Sequence, residues 1–128
     1  MLESRFLRYR SELMQPAHLD LEKLSSSNGT SLVTRLNGKL SLETVHNFIQ
    51  TLRPEPAAHL VLDMSGVSFL DSAGVGALAS LFVHRRHGGQ SFAVAALTQQ
   101  GNAVLQVAGL TKLLPNFPTV EAALVAKT

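Results

Sequence analysis

The 128-residue chain has no cysteine, no tryptophan and one tyrosine. Without cysteine there can be no disulfide, no thiolate nucleophile and no zinc site with a sulfur ligand, a composition that suits a reducing compartment. No apolar run approaches the ~20 residues that a membrane-spanning helix needs, although 45% of the residues are hydrophobic and the mean hydropathy is +0.16. Residues 1–8 contain an acid and two arginines where a secretory signal would be continuously apolar, so a cytoplasmic protein is expected. Charge is also sparse. The formal net charge is +2, and beyond Arg5, Arg8, Arg10 and the pair Arg85-Arg86 the basic residues are scattered. Few phosphates could be neutralised and few bases stacked, so direct nucleic-acid binding is not expected.

A chain of this length buries one hydrophobic core, and there is no internal repeat to suggest otherwise. In residues 1–17, Leu2, Phe6, Tyr9 and Leu13 recur at helical spacing until Pro16, which predicts a short amphipathic extension ahead of a domain covering 18–128. Within that domain, residues 19–26 and 30–36 flank Asn28-Gly29 as two strands flank a tight turn. A second Asn37-Gly38 is expected to end the second strand. Ser41 then offers an N-cap oxygen to a helix carrying Val45, Phe48, Ile49 and Leu52, with Pro54 and Pro56 beyond it.

Residues 59–64 form a nearly continuous apolar run, as in a strand covered on both faces, and 65–70 read as a loop. A helix is predicted from Ser72 to His87, presenting Val75, Leu78, Ala79 and Phe82, with Gly88-Gly89 as its stop. Residues 91–97 read as a strand, 102–108 as a helix and 119–126 as a closing helix after Pro118. The expected fold is α/β: a small mixed sheet of four to five strands that starts with a hairpin, packed with about four helices, plus the N-terminal extension.

The densest chemistry lies between Asp63 and Gly76, across a strand end, a loop and a helix start, where α/β sheets place their ligands. Ser72 stands where a helix begins. Its hydroxyl either caps the free N–H groups or is displayed at the positive end of the helix dipole, and from spacing alone the plain cap is the first reading. A phosphate there would gain about 0.5–1 kcal/mol from the helix terminus while adding nearly two negative charges to the surface.

The segment from Leu60 to Leu78, with Asp63-Met-Ser-Gly-Val-Ser-Phe-Leu-Asp-Ser-Ala-Gly-Val-Gly76 at its centre, closely resembles the signature of STAS domains, the anti-sigma factor antagonists. Leu36-Asn-Gly-Lys-Leu40 resembles the family's first strand-to-helix turn, Phe117 to Leu124 resembles its closing helix, and the similarity spans about residues 19–126. The resemblance implies a non-enzymatic, cofactor-free phosphoprotein of bacterial transcription control. Its partner would be a serine kinase that is itself the anti-sigma factor, bound when Ser72 is unphosphorylated and released by phospho-Ser72, with a phosphatase to reverse the mark.

Residue by residue, Ser72 matches the modified serine. Asp71 and Asp63 match acids near it that shape kinase recognition, and Gly74 and Gly76 match positions where the helix start approaches neighbouring backbone. Family members often carry an acid where this chain has Ser41, which alters charge beside the expected partner surface. From residue 73 onward Glu121 is the only acid, and the sequence pI is about 9.4, so a partner with more acidic surface is implied. The expected protein is a monomer or homodimer with no membrane association.

Other readings are weaker. Gly74-Val-Gly-Ala-Leu-Ala79 fits a loose dinucleotide fingerprint, but the glycines lie too far from the strand and no ribose-binding acid follows. His84 and His87 lack the glutamate of a zinc-hydrolase helix and fit a cationic last turn, so no metal site is expected. Ser72 lies outside a G-x-S-x-G elbow, which argues against a hydrolase. The alternative function is a scaffold, or a subunit of a stress-signalling, transport or lipid-transfer complex, since similar domains occur there, with the N-terminal helix as a packing or dimer element.

Overall fold

The computed structural model describes residues 17–25 and 30–126. The predicted N-terminal amphipathic segment and the Asn28-Gly29 turn lie outside these residues. β1 (Leu19–Ser25) and β2 (Ser31–Leu40) pair antiparallel, and β3 (His59–Leu70), β4 (Ser91–Ala95) and β5 (Asn116–Phe117) follow in parallel, giving the order β1-β2-β3-β4-β5. α1 (Val45–Leu52), α2 (Ser72–His87) and α3 (Gln99–Val107) connect successive parallel strands, and α4 (Val120–Ala126) closes the described chain. The α/β class, the five-stranded mixed sheet and the four helices are as the sequence predicts.

Side-chain alternation divides the core into two layers. Leu60, Leu62 and Met64 of β3 join Leu36, Phe92 and Val94 under Phe48 and Leu52 of α1, Leu78 and Leu81 of α2 and Leu105 of α3. The intervening residues Val33, Val61, Ala93 and Ala95 face the other way, where Ala123 of α4 is buried among them. A strand order that follows the sequence sends every parallel connection to the same face, and among the described residues the second face is covered by α4.

Several expected boundaries are corrected. Asn37-Gly38 does not end β2 but forms a bulge within it: the register shifts on either side, and Gly38 has φ +121°. The backbone there is pressed so closely against the His18 carbonyl that a Cβ would run into it, a conformation suited to glycine. Residues 65–70 are not a loop but an extension of β3 paired with β2 alone, with Val67 and Leu70 in the core. β4 stops at Ala95, since Ala96 has φ 57°.

α3 begins at Gln99 rather than Asn102, because the Thr98 side chain accepts a hydrogen bond from the Gly101 N–H (3.1 Å). Phe117, which the resemblance placed with the closing helix, belongs to β5. α4 starts at Val120, where Thr119 Oγ1 accepts from the Ala122 N–H (3.1 Å).

One buried charge holds the far end of α2. Arg85, which lies in the turn read from sequence as a cationic helix end, is fully buried. Its guanidinium donates to the carbonyls of Ser91 (3.1 Å), Glu55 (3.1 Å) and Ala57 (2.6 Å), tying α2 to the α1–β3 loop and the start of β4. Burial pushes the guanidinium pKa below its ordinary value, opposed by the Glu55 carboxylate. Removing the side chain strands three carbonyls and leaves a void. Arg85→Ala is expected to cost about 3–5 kcal/mol in equilibrium urea unfolding, and Arg85→Lys, which cannot reach all three carbonyls, should recover less than half of that loss.

Candidate functional site

The site is built where β2 and β3 end side by side, with Leu40 opposite Leu70. Asp71 is the hinge between them. One carboxylate oxygen accepts from the Gly74 N–H (2.9 Å), which caps α2, and the other accepts from the Leu42 N–H (3.1 Å), which holds the turn between β2 and α1. A second brace comes from Gln100 of α3, whose amide donates to the Leu70 carbonyl (2.8 Å) and accepts from the Leu70 N–H (3.0 Å), as a neighbouring strand would. The backbone on which Ser72 stands is thus fixed from both sides.

Because Asp71 is the N-cap, Ser72 becomes the first helical residue rather than the cap. Its side chain is exposed, and its hydroxyl makes no hydrogen bond among the described residues. Beside it, Gly74 is buried so tightly that a Cβ would meet the Leu40 carbonyl oxygen and the Leu70 side chain. Gly76 does not share that constraint, contrary to expectation: a Cβ there would meet nothing within 4 Å, since the position faces outward. Both glycines lie inside α2 and not in a strand-to-helix turn, so neither forms part of a dinucleotide loop.

From Ser72 an open groove of about 600 Å³ runs between α2 and α3, lined by Val75, Gly76 and Ala79 on one wall and by Val104, Val107 and Leu110 on the other. Among the described residues of this lining, Ser72 alone has a polar side chain. Val107 is 91% exposed, and Leu42, next to Asp71, is 74% exposed. These apolar residues were not foreseen in the sequence. Val104 and Val107 fall within the helix expected over 102–108, but only the packing of α2 beside α3 makes them a groove wall, and Leu42 lies in the short turn after Ser41, where no periodic pattern marks it.

Ser41 itself is buried and is not a helix cap. Its N–H donates to Thr44 Oγ1 (3.0 Å), and its carbonyl accepts from the N–H groups of Thr44 and Val45 in the turn that precedes α1. Thr44 takes the N-cap position. Asp63 is also placed apart from Ser72. It lies in the middle of β3, opposite Arg35 and Ala95, and lines a separate cleft of about 450 Å³ with Arg35, Thr119 and Glu121 on the α4 face. The strand extension over residues 65–70 accounts for the separation.

Burial pushes the Asp63 carboxyl pKa up. The Ser65 hydroxyl (2.7 Å), the Ser65 N–H (3.0 Å) and Arg35 Nε (3.3 Å) outweigh it, so the net shift is downward. Among the described residues no cluster of three or more His, Asp or Glu side chains could hold a metal ion.

A family model described as "Mlab, STAS domain" matches residues 24–115. The chain belongs to the STAS domain family. Solved structures share its fold. An anti-sigma factor antagonist from Mycobacterium paratuberculosis is 24% identical with a TM-score of 0.76, over 86% of this chain and 94% of that one. The anti-sigma factor antagonist SpoIIAA in its unphosphorylated form is 19% identical with a TM-score of 0.68, over 85% and 95%. The murine anion transporter Slc26a9 is 17% identical with a TM-score of 0.69, over 97% of this chain but 24% of the transporter. The fold therefore recurs both in chains of about this length and as a part of a much longer one.

Two measurements check this geometry. Gly74→Ala should destabilise the STAS fold by about 2 kcal/mol through overpacking, whereas Gly76→Ala should stabilise it by about 0.5–1 kcal/mol through helix propensity, both read from chemical unfolding. Asp63 binds its proton less readily folded than unfolded. Its contribution is therefore present above the ordinary carboxylate range and lost as pH falls through about 4 and below. Asp63→Asn should flatten the acid limb of the stability–pH curve and lower stability at pH 7.

Proposed function

We propose that this STAS domain is a non-catalytic protein-binding switch whose partner docks on the α2–α3 groove and whose state is set by phosphorylation of Ser72. The observation that carries the reading is the position of the Ser72 hydroxyl, exposed and with no hydrogen-bond partner among the described residues, at the rim of a groove whose other described lining residues are apolar. A kinase can reach it without disturbing the fold, because the helix is capped by Asp71 and not by the residue to be modified. A phosphoryl group would leave the core intact and place two charges where a partner must exclude water. A penalty of about 5.5 kcal/mol would convert a 99:1 preference for the bound state into 1:99.

The partner class is an anti-sigma factor that is also a serine kinase, with a phosphatase to reset the serine. The likeness to two anti-sigma factor antagonists, one described as unphosphorylated, supports this choice. Such a switch operates in the cytoplasm, where ATP is available to the kinase. Asp71 acts by holding Ser72 and Leu42 in one surface, Gly74 by seating the helix start, and Gly76 by keeping the groove open. Ser41 contributes the turn that presents Leu42. Asp63 belongs to the opposite face, so its part in recognition would be indirect. Residues 18–128 form the switch domain, with residues 1–17 as an appendage.

A second reading, a constitutive docking subunit of a larger assembly, is favoured by the presence of this fold within an anion transporter. Binding of single-site variants separates the two. Against a cognate kinase, Ser72→Ala should bind like the unmodified protein, and Ser72→Glu at least about 100-fold more weakly, near 2.7 kcal/mol. Equal affinity of both variants would leave only the docking subunit.

A further inference from the structure

The wall that α2 gives to the groove does not stop at Ala79. Ser72, Gly76 and Ala79 lie on one helical face, and the same three- and four-residue spacing carries that face on to Phe82, Val83 and Arg86. There a second cleft of about 490 Å³ opens, lined by Phe82 and Arg86 on the α2 side and by Leu113 and Pro115 on the other. The opposite wall continues as well. Leu110 ends the groove and Leu113 enters the cleft one turn later, its N–H donating to the Leu110 carbonyl (3.1 Å). The two openings therefore follow one another along the 16 residues of α2, over about 24 Å at 1.5 Å per residue.

The cleft is built from fixed parts. Phe82 and Phe92 line it as a tilted pair, with ring centroids 6.3 Å apart. The turn that carries Lys112 and Leu113 is braced by the Asn116 amide, which donates to the carbonyls of Thr111 (2.9 Å) and Leu114 (2.8 Å), and Leu114 is buried. Val83 and Leu113 stand exposed beside it.

Charge says what fits. Arg86 and Lys112 are exposed, and neither side chain makes a hydrogen bond or ion pair among the described residues. Among the described residues no acid lines the groove or the cleft, and Glu121, the one acid in residues 73–126, lies on the α4 face. An apolar slot that ends in unneutralised cations is complementary to an apolar stripe that ends in carboxylates. A bilayer is a poorer match, since membrane-binding clusters carry about four to eight Lys or Arg and a slot between two helices is concave.

We infer that the docking groove runs the whole length of α2 and takes an amphipathic segment of a protein partner whose apolar stripe ends in a cluster of carboxylates, seated on Arg86 and Lys112. This names the partner chemistry of the proposed docking function and rests on that reading for its biological meaning.

The test uses the full chain and a display library of random peptides as long as α2. Enriched sequences are expected to join an apolar stripe to Asp or Glu clustered at one end. Synthetic copies should bind Arg86→Glu about tenfold more weakly than the unaltered chain. Arg53→Glu makes the same charge change on α1, across α2 from the groove, and should leave affinity unchanged at physiological salt, where charges more than about 8 Å apart are largely screened. Leu113→Asp and Val107→Asp, one in each opening, should both abolish binding.

Enrichment without acids, equal affinity for Arg86→Glu and Arg53→Glu, or a library that yields no binder lost in Leu113→Asp would each overturn the inference. So would binding to phosphatidylglycerol vesicles that Arg86→Glu removes, which would give the cations to a membrane. Ser72→Glu is measured beside them. Weakening by Ser72→Glu without any effect of Arg86→Glu would leave the switch and remove the extended groove, and the converse would remove the switch and leave the groove.

Discussion

The carboxylate of Asp71 accepts two backbone hydrogen bonds from different parts of the chain, the Gly74 N–H at the start of α2 and the Leu42 N–H in the turn before α1. Orphan donors at a helix start must be satisfied, and a carboxylate is the strongest acceptor available for them. Its second oxygen converts a local cap into a long-range tie. The groove mouth, the exposure of Leu42 and the freedom of the Ser72 hydroxyl all follow from that tie. Were Ser72 itself the cap, its hydroxyl would be engaged and the helix would depend on the group a kinase would have to modify.

The sheet separates the two acids that the sequence places close together. Alternation along β3 turns Leu62 and Met64 toward the three-helix face and Asp63 toward α4, while the extension of β3 carries the chain onward to Asp71. Asp63 is held by Ser65 and Arg35, so it anchors the bulged strand. The pairing at Arg85 plays the equivalent part at the other end of α2, where three backbone carbonyls surround one guanidinium. The groove face is left with small and apolar side chains between two anchored ends. Such a surface favours docking, because little polar desolvation opposes it.

Much of this was legible in the residues. Continuous apolar runs marked β3 and β4, helical spacing marked α1 and α2, and Asp71-Ser72 marked the start of α2. What failed did so for identifiable reasons. Ser-Gly-Val-Ser at 65–68 has loop composition, yet pairing with β2 and the burial of Val67 and Leu70 make it strand, so tertiary contact overrides propensity. Asn37-Gly38 carries the signal of a turn and a bulge alike, since both require a left-handed residue. Arg85 has the pattern of an exposed helix end, and only the carbonyls that converge on it reveal its burial. The groove could not be read locally, because its walls come from two helices joined through a buried strand. Gln100, which braces the site through backbone groups of Leu70, leaves no sequence signature at all.

The central claim is that Ser72 is the modified residue on which binding turns. Intact-mass analysis of the protein isolated from its own cells, with fragment mapping across residues 63–78, tests it most directly. The account predicts a population heavier by one phosphate, localised to Ser72 and varying with growth condition. An unmodified mass under every condition, or phosphate confined to another residue, would contradict it.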